Sequence, residues 1–270
     1  MAVNVGTNKI YVANYKSNDV TVIDGTTNSA TTLASGNNPY AVAVNPVGNR
    51  IYVANMGSDN VTVIDGATNG TKMVSVGRSP SAVAVNSGTN KIYVANYASG
   101  DVTVIDGSTN TTTRVPTGSN PFAVAINAAT NKIYVANMGS KNVTVIDGTT
   151  NQTTTVAAGI TPVAVAVNPV ANKIYVANYE SNNITLIDGA TNQTTTVGAG
   201  IGPYAVAFDQ ASNKVYVVNY YGGTATACEG AANSSTIQVG AIPSAAAVNS
   251  TTNKIYVTNE YSGKVTVVGK

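Results

Sequence analysis

The sequence has 270 residues, of which 43% are hydrophobic and 10% are charged, and its formal net charge is +2. This balance argues against nucleic-acid binding and against electrostatic docking on an anionic membrane. The sequence contains no histidine and a single cysteine, Cys228, which excludes an intrachain disulfide and a cysteine metal cluster. No apolar run approaches the roughly 20 residues that cross a bilayer. The first residues, MAVNVGTNK, lack the pattern of a signal peptide, so we expect neither membrane insertion nor a leader in this chain.

One tyrosine recurs at nearly constant spacing along the whole chain. It occurs at Tyr11, Tyr52, Tyr93, Tyr134, Tyr175, Tyr216 and Tyr256, in steps of 41 residues and a last step of 40. A period of about 40 residues, built only from short β patterns and turns, is typical of a β-propeller with one sheet per repeat. Because one repeat is too small to bury its own apolar surface, neighbouring repeats must stack. We therefore predict a single domain over residues 1–270.

Four strands follow one another in each full repeat. The first alternates alanine and valine, as at residues 41–45 (AVAVN), and its small side chains suit the crowded centre of a propeller. The second, KIYVAN, and the third, VTVIDG, are apolar on both faces, as expected of strands between two other sheets. The fourth is rich in threonine, as at residues 153–156, and is predicted to be the outermost strand.

The turn after the third strand reads Asp-Gly-[Ala/Ser/Thr]-Thr-Asn. We expect its aspartate to accept hydrogen bonds from the following backbone amides and its glycine to adopt a positive φ. Six of the twelve carboxylates occupy this one position, at Asp24, Asp65, Asp106, Asp147, Asp188 and Glu229. Ring symmetry separates them, whereas acid–base catalysis needs carboxylates that converge. We interpret them as structural caps.

The strand count predicts an all-β, seven-bladed β-propeller with four-stranded antiparallel blades, the last blade lacking its outer strand. The first three strands occur seven times and the fourth occurs six times. The third strand of the last blade, Val265–Val268, is then an exposed edge flanked by Lys264 and Lys270, and such an edge favours pairing with a neighbouring chain. A threonine-rich strand added ahead of Met1 is expected to complete this blade and to raise the melting temperature. Ring closure is expected from packing of Ile10, Val12, Val20 and Val22 on Ile255, Val257, Val265 and Val267.

The sixth repeat departs from the pattern. It reads ATACEG at residues 225–230, where the other repeats have VTVIDG. Because alanine replaces valine at buried positions, we expect this blade to be the least stable. Cys228 replaces an isoleucine and is predicted to be a small buried apolar residue. The alternative, a reactive thiol, has no histidine or basic neighbour in sequence to support it.

The combined pattern NKIYVAN…NVTVIDGATN…TTTV…G…P.AVAVN resembles the YVTN family of β-propeller repeats over essentially the whole chain. Residues 256–259 spell the tetrapeptide Tyr-Val-Thr-Asn, and the other copies read YVAN or YVVN. The resemblance implies a propeller of the surface-layer or secreted type of archaea and bacteria, and hence an extracellular or cell-surface location. More distantly, the repeats are similar to lactonase and streptogramin-lyase propellers.

The asparagine that ends the second strand recurs in all seven repeats and has two interpretations. The copies are Asn14, Asn55, Asn96, Asn137, Asn178, Asn219 and Asn259. They either make hydrogen bonds within their own loops or form a polar ring around a hydrated cation such as calcium. Several N-x-[Ser/Thr] triplets occur, among them those at Asn69, Asn110, Asn151 and Asn192, and they are acceptors only in a host that glycosylates.

Two positions vary between repeats and are often aromatic. One follows the second strand, and the other follows the proline before the first strand; in a propeller both loops lie on the same face. Tyrosine is over-represented at recognition surfaces. The alternative is that these tyrosines only cover the core. The predicted ligand-binding residues are Tyr40, Phe122, Tyr204, Tyr97, Tyr179, Tyr15 and Tyr220.

The sequence thus favours a non-catalytic structural or binding module of a secreted or cell-surface protein. A protein or a carbohydrate is the expected ligand of the aromatic face. We expect no catalytic residue, no metal and no cofactor. The alternative is an enzyme of the lactonase or streptogramin-lyase kind, which uses acidic residues with histidine or a metal at the mouth of the channel.

Overall fold

The computed structural model describes residues 1–230 and 233–269, in which strands alternate with turns. The strands form seven antiparallel sheets, six of four strands and one of three. Within each sheet the strands follow one another in chain order. The predicted all-β, seven-bladed propeller with a three-stranded last blade is therefore confirmed. In this part of the chain no helix is long and apolar enough to cross a membrane.

The first strand of each blade is longer than the alanine–valine pattern. These strands are β1 (Ala2–Asn4), β5 (Pro39–Asn45), β9 (Pro80–Asn86), β13 (Pro121–Asn127), β17 (Pro162–Asn168), β21 (Pro203–Asp209) and β25 (Pro243–Asn249). From β5 onward they begin at the repeated proline. In β5 and β21 the pairing register shifts between the proline and the first alanine, so the residue between them, Tyr40 or Tyr204, bulges out of the ladder.

The second and third strands form the buried middle of each blade. The second strands are β2 (Lys9–Asn14), β6 (Arg50–Asn55), β10 (Lys91–Asn96), β14 (Lys132–Asn137), β18 (Lys173–Asn178), β22 (Lys214–Asn219) and β26 (Lys254–Asn259). The third strands are β3 (Asp19–Asp24), β7 (Asn60–Asp65), β11 (Asp101–Asp106), β15 (Asn142–Asp147), β19 (Asn183–Asp188), β23 (Thr224–Glu229) and β27 (Lys264–Gly269). The repeated tyrosine is fully buried at Tyr52 and Tyr93, and burial raises the pKa of Tyr93 to about 12.

The fourth strands are polar on one face, as the threonine pattern predicts. They are β4 (Ala30–Ala34), β8 (Thr71–Ser75), β12 (Thr112–Pro116), β16 (Thr153–Ala157), β20 (Thr194–Gly198) and β24 (Asn233–Gln238). In β8 and β20 a single valine, Val74 or Val197, is buried while its neighbours are exposed. Each of these two outer strands is therefore held by one buried valine and by its backbone hydrogen bonds to the third strand of the blade.

The aspartate of each Asp-Gly turn caps the strand as predicted, but the glycine that follows it lacks the expected positive φ, which the sixth repeat has at Gly230, after Glu229. The Oδ1 atom of Asp65 accepts hydrogen bonds from the amides of Ala67 at 3.0 Å and Thr68 at 2.9 Å. Positive φ occurs at the asparagine that closes the turn, such as Asn69 at 61°. Gly66 is required for space instead, because a Cβ atom there would lie 2.2 Å from Oδ1 of Asn49.

The chain divides into two compact units, Met1–Asn131 with Asp147–Thr153, and Lys132–Ile146 with Thr154–Lys270. In the first unit, Val20 and Val22 pack in one cluster with Ile51 and Val53 of the second blade. Ile10 and Val12 are paired across the ladder with Ile23 and Thr21, on the opposite face of the first blade from Val20 and Val22. The expectation that these four residues share one packing face is wrong.

The same correction applies to the last blade, in the second unit. Ile255 and Val257 pack with Tyr216 and Val218 of the sixth blade. Val267 is paired across the ladder with Tyr256, on the other face, and it is 50% exposed. Strand alternation therefore prevents Ile255, Val257, Val265 and Val267 from forming a single packing surface.

Candidate functional site

Backbone hydrogen bonds clamp the two loops that carry the variable aromatic residues. The amide of Tyr97, after β10, donates to the carbonyl of Ser79, before β9, at 3.0 Å. The amide of Tyr220, after β22, donates in the same way to the carbonyl of Gly202 at 2.7 Å. The second and fifth blades make the same contact, from Met56 to Asn38 and from Tyr179 to Thr161, so in these four blades the loop before the first strand is tied to the loop after the second strand.

Four of the predicted residues form a chain of rings in the first unit, which we call the first aromatic cluster: Tyr15, Tyr40, Phe122 and Tyr97. The ring centroids of Tyr15 and Tyr40 are 6.3 Å apart, those of Tyr40 and Phe122 6.5 Å, and those of Tyr97 and Phe122 6.3 Å. All three contacts are edge-to-face, which the quadrupole of an aromatic ring favours. Tyr15 and Tyr40 are 46% and 42% exposed, so this cluster presents aromatic surface to solvent.

The other three predicted residues meet in the second unit and are joined there by Tyr221. This second aromatic cluster consists of Tyr179, Tyr204, Tyr220 and Tyr221. Its four contacts, 179–204, 204–220, 220–221 and 179–221, close into a circuit with centroid separations of 6.1, 5.4, 5.1 and 5.8 Å. The sequence interpretation missed Tyr221, although the Tyr-Tyr doublet, found in no other repeat, was the available signal.

The second aromatic cluster lies beside a glycine with a positive φ and beside the carboxylate of Glu260. Gly202 lies beneath it at φ +68°, where a Cβ atom would lie 3.1 Å from Cδ2 of Tyr221. The Tyr220 hydroxyl donates to Oε2 of Glu260 at 3.5 Å. Burial, together with the hydrogen bond to Tyr221, raises the pKa of Tyr179 to about 12. At neutral pH the Tyr179 hydroxyl is therefore protonated and can donate a hydrogen bond.

Two of the residues at the variable positions face inward instead. Ser81 occupies the bulge of β9, and its buried hydroxyl lies within hydrogen-bond distance of two carbonyl oxygens, that of Pro121 at 3.0 Å and that of Ala95 at 3.3 Å. Val163, at the same position of the fifth blade, is also buried. The bulge thus recurs in several blades, and the residue that occupies it determines whether an aromatic ring reaches the solvent.

The repeated asparagines are held within their own blades. Nδ2 of Asn55 donates to Oδ1 of Asn60 at 2.7 Å and to Oγ1 of Thr62 at 2.8 Å. Nδ2 of Asn178 donates in the same way to Asn183 and Thr185, at 2.8 Å each. These contacts account for the amide donors, which are aimed at neighbouring side chains of the same sheet, while the buried Oδ1 atoms of Asn55 and Asn178 have no hydrogen-bond partner among the described residues.

The acidic residues and the cysteine do not converge. Over residues 1–230 and 233–269, no three aspartate, glutamate or cysteine side chains are grouped as metal ligands would be. Cys228 is buried among apolar side chains that include Tyr175 and Ile184. Burial raises the pKa of its thiol to about 11, so the reactive thiolate is scarce at neutral pH.

The chain is similar to several proteins of known architecture. Residues 24–114, about a third of the sequence, match the family described as lactonase, 7-bladed beta-propeller. No curated protein matches the sequence. A chain of Kuenenia stuttgartiensis hydrazine synthase is similar with a TM-score of 0.78 and 20% identity, over 97% of this chain and 92% of that one.

Two further solved structures have the same architecture. A chain of a mitotic checkpoint complex is similar with a TM-score of 0.83 and 14% identity, over 98% of this chain and 85% of that one. Streptogramin B lyase is similar with a TM-score of 0.79 and 11% identity, over 96% and 89%. At such low identity a likeness shows the fold alone. Together with the order of strands in the sheets, these similarities identify the chain as a seven-bladed β-propeller.

Proposed function

We propose that this propeller is a non-catalytic binding module whose ligand contacts the aromatic clusters. The observation that carries the proposal is that aromatic residues at variable repeat positions gather into two partly exposed clusters. Tyrosine combines a large apolar face with a hydroxyl group and loses little conformational entropy on binding, and it is therefore enriched at recognition surfaces. Symmetry of the repeat does not explain these residues, since Ser81 and Val163 occupy equivalent positions without exposing a ring.

The ligand that suits such surfaces is a protein segment or a carbohydrate. Both stack on aromatic rings and accept hydrogen bonds from tyrosine hydroxyls. Charged side chains flank the two clusters differently: Lys16 follows Tyr15 in the first, whereas Glu260 contacts Tyr220 in the second. A net charge of +2 gives no support to nucleic acid as the ligand. Together with the likeness to YVTN repeats, these features favour a structural or binding role in an extracellular or cell-surface protein.

A glycan array and a peptide array, probed with the purified chain, test the proposal. We expect a specific ligand whose affinity falls at least tenfold in Tyr40→Ala or in Tyr204→Ala. The matched controls are Ala67→Lys and Ala190→Lys, which alter exposed residues of the Asp-Gly turns. The assignment of the site is wrong if the tyrosine variants retain full affinity while a control variant loses it.

A lactonase-like enzyme is the alternative, and one observation favours it: the match of residues 24–114 to the lactonase family. An enzyme of this kind needs acidic groups, with histidine or a metal, that converge on the reacting atoms. The sequence has no histidine, and the carboxylates of the turns are engaged with backbone amides, as at Asp65. We therefore rank the binding module first.

A further inference from the structure

Notches open between neighbouring blades beside the basic residue that begins the second strand. Between the second and third blades the notch has a volume of about 230 Å³, and its lining includes Arg50, Asp65 and Lys72. The equivalent notch beside Lys91 has a volume of about 190 Å³ and is lined by Asp106. Both notches therefore contain charges of opposite sign.

The basic residue of these junctions has a partner in the protein. Nζ of Lys91 donates to the carbonyl of Gly148, in the Asp-Gly turn of the next blade, at 2.8 Å. The same contact recurs from Lys9 to Gly66 at 3.0 Å and from Lys132 to Gly189 at 2.9 Å. Nζ of Lys173 contacts Oδ2 of Asp188 at 2.7 Å. At these four junctions the cation is thus already satisfied by an oxygen of the protein.

The notch between the sixth and seventh blades is larger and mainly apolar. Its volume is about 280 Å³, and Tyr216, Ala227, Ile237, Ile255 and Val268 line it. Ala227 stands where valine lines the other two notches, as Val63 and Val104. The missing methyl groups therefore enlarge the space next to Lys214, which is the cation of this notch.

The lining of this notch contains no carboxylate, whereas Asp65 or Asp106, from the same blade as the basic residue, lines the other two notches. Gly269 is paired with Lys254 in the register that pairs Lys91 with Asp106 in the third blade, so glycine occupies the position of the aspartate. Glu229, on the strand next to Lys214, makes no ion pair with it. Over the described ranges, Lys214 has no hydrogen-bond or ion-pair partner; residue 270, which corresponds to the acceptor glycines, lies outside them.

We propose that this notch is a binding site for a small apolar carboxylate. The carboxylate group of the ligand pairs with the Lys214 ammonium in a charge-assisted hydrogen bond. Its apolar body covers Ala227, Ile255 and Val268. The volume suits a short aliphatic chain or a single aromatic ring and is smaller than a drug-sized pocket of several hundred Å³. This site is separate from the aromatic clusters and does not depend on the function proposed for them.

Titration calorimetry with benzoate, phenylacetate and hexanoate tests the site. We expect saturable one-to-one binding of at least one of these carboxylates, and binding at least tenfold weaker for the corresponding neutral amide. Lys214→Met should weaken binding at least tenfold because it removes the ammonium. Ala227→Val should weaken it as strongly because the valine fills the notch.

Ala227→Val also separates loss of binding from loss of fold. The variant restores the residue of the other blades and is expected to melt at an equal or higher temperature than the wild type. Lys91→Met, at the equivalent position of the third blade, is the matched control and should leave the affinity unchanged. The proposal is overturned by the absence of saturable binding, by equal affinity for the neutral amide, or by unchanged affinity in Ala227→Val.

Discussion

Single residues determine the turns of this molecule. In the described residues, twenty-one non-glycine residues have a positive φ, and sixteen of them are asparagine. Asparagine tolerates this region because its short polar side chain bonds to the local backbone. The abundance of asparagine therefore reflects the number of left-handed turn positions, and it does not by itself indicate a ligand site.

The first prediction concerns the glycine of the Asp-Gly turn. Gly66→Ala is expected to destabilise the fold by about 1–3 kcal/mol, because its Cβ would overlap an asparagine whose position is set by the turn. That Cβ would also lie 2.9 Å from the backbone oxygen of Asn49, which cannot rotate away. Urea unfolding measures the effect. Gly198→Ala, where no atom lies within 4 Å of the new Cβ, is the control and should be close to neutral.

The second prediction concerns pH. The hydrogen bond from Lys173, and then those from backbone amides, hold the pKa of Asp188 well below its usual range. A carboxyl whose pKa is lower in the folded state stabilises the fold above the unfolded-state pKa of about 3.9, and this contribution is lost as pH falls through the folded-state value. We expect the melting temperature to fall below pH 4.

Asp188→Asn isolates this contribution. Asparagine keeps the Oδ1 acceptor for the amides of Ala190 and Thr191 but does not titrate. The drop in melting temperature between pH 5 and pH 2 should therefore be smaller in the variant than in the wild type. The difference will be modest, since solvent screens an exposed pair. Glu180→Gln, which removes a carboxylate outside the turns, should leave the drop unchanged; an equal drop in Asp188→Asn contradicts the assignment.

At the scale of the strand, we expect the sixth blade to be the least stable. Ala225 and Ala227 occupy buried positions of β23 that are valine in β11. Their cluster with Tyr216, Val218 and Val257 therefore has less apolar volume than its counterparts. A small side chain between large neighbours leaves dispersion contacts unmade.

Paired substitutions test this difference. Val102→Ala in β11 should cost about 2 kcal/mol, at about 0.8 kcal/mol per buried CH₂ plus a cavity term. Ala225→Val in β23 should stabilise the protein by up to about 1.5 kcal/mol. Denaturant midpoints of the two variants provide the measurement. A destabilising effect of Ala225→Val shows that the sixth blade is already fully packed.

The edge of β27 is the second feature at this scale. In the described part of the chain, β27 pairs with β26 alone. Its residues Val265 and Val267 are 55% and 50% exposed. Of the two flanking lysines, Lys264 lies in β27 and Lys270 is outside the described residues. We propose that this edge pairs with a strand of another chain, because unpaired backbone groups beside exposed valines favour strand addition.

Sedimentation velocity over a range of concentrations tests this pairing. We expect self-association that Val267→Lys reduces, since a charge on the edge strand opposes pairing. Val170→Lys alters a valine in the turn after β17 that is 76% exposed, and it is the matched control. A monomer at every concentration, or an equal effect of the control, refutes the proposal.

At the scale of the whole molecule, several unrelated proteins share the propeller architecture. The similar structures include a hydrazine synthase, a mitotic checkpoint complex and a streptogramin B lyase. Function in such folds depends on the side chains at the loops, since the blades only provide a scaffold. The choice between a binding module and an enzyme therefore has to be made from the residues of this chain.

The last prediction addresses that choice. We expect no metal-dependent hydrolysis of a simple lactone by the purified chain, because the carboxylates of the turns cap backbone amides and the sequence has no histidine. Turnover measured with added divalent metal ions provides the test. Turnover that is above background and abolished by a chelator would establish the enzymatic alternative.

The sequence alone predicted the features that depend on local periodicity. The spacing of the repeated tyrosine predicted seven blades, and the two-residue alternation and the turn residues predicted the strands and their order. Because such patterns recur from repeat to repeat, a departure in one repeat does not change the prediction that the other repeats support. The capping role of Asp65 and the burial of Cys228 also followed from local chemistry.

Only the tertiary structure decided which side chains meet. It divided the predicted aromatic residues into two clusters, added Tyr221, and placed Ile255 against the sixth blade. It also showed that Lys214 lies beside an enlarged apolar notch. The physical reason is that most of these contacts join residues of different loops and blades, such as Tyr40 and Phe122, which lie 82 positions apart. Bulges at the strand starts and the packing of adjacent sheets set such contacts, and neither is encoded in the period of one strand.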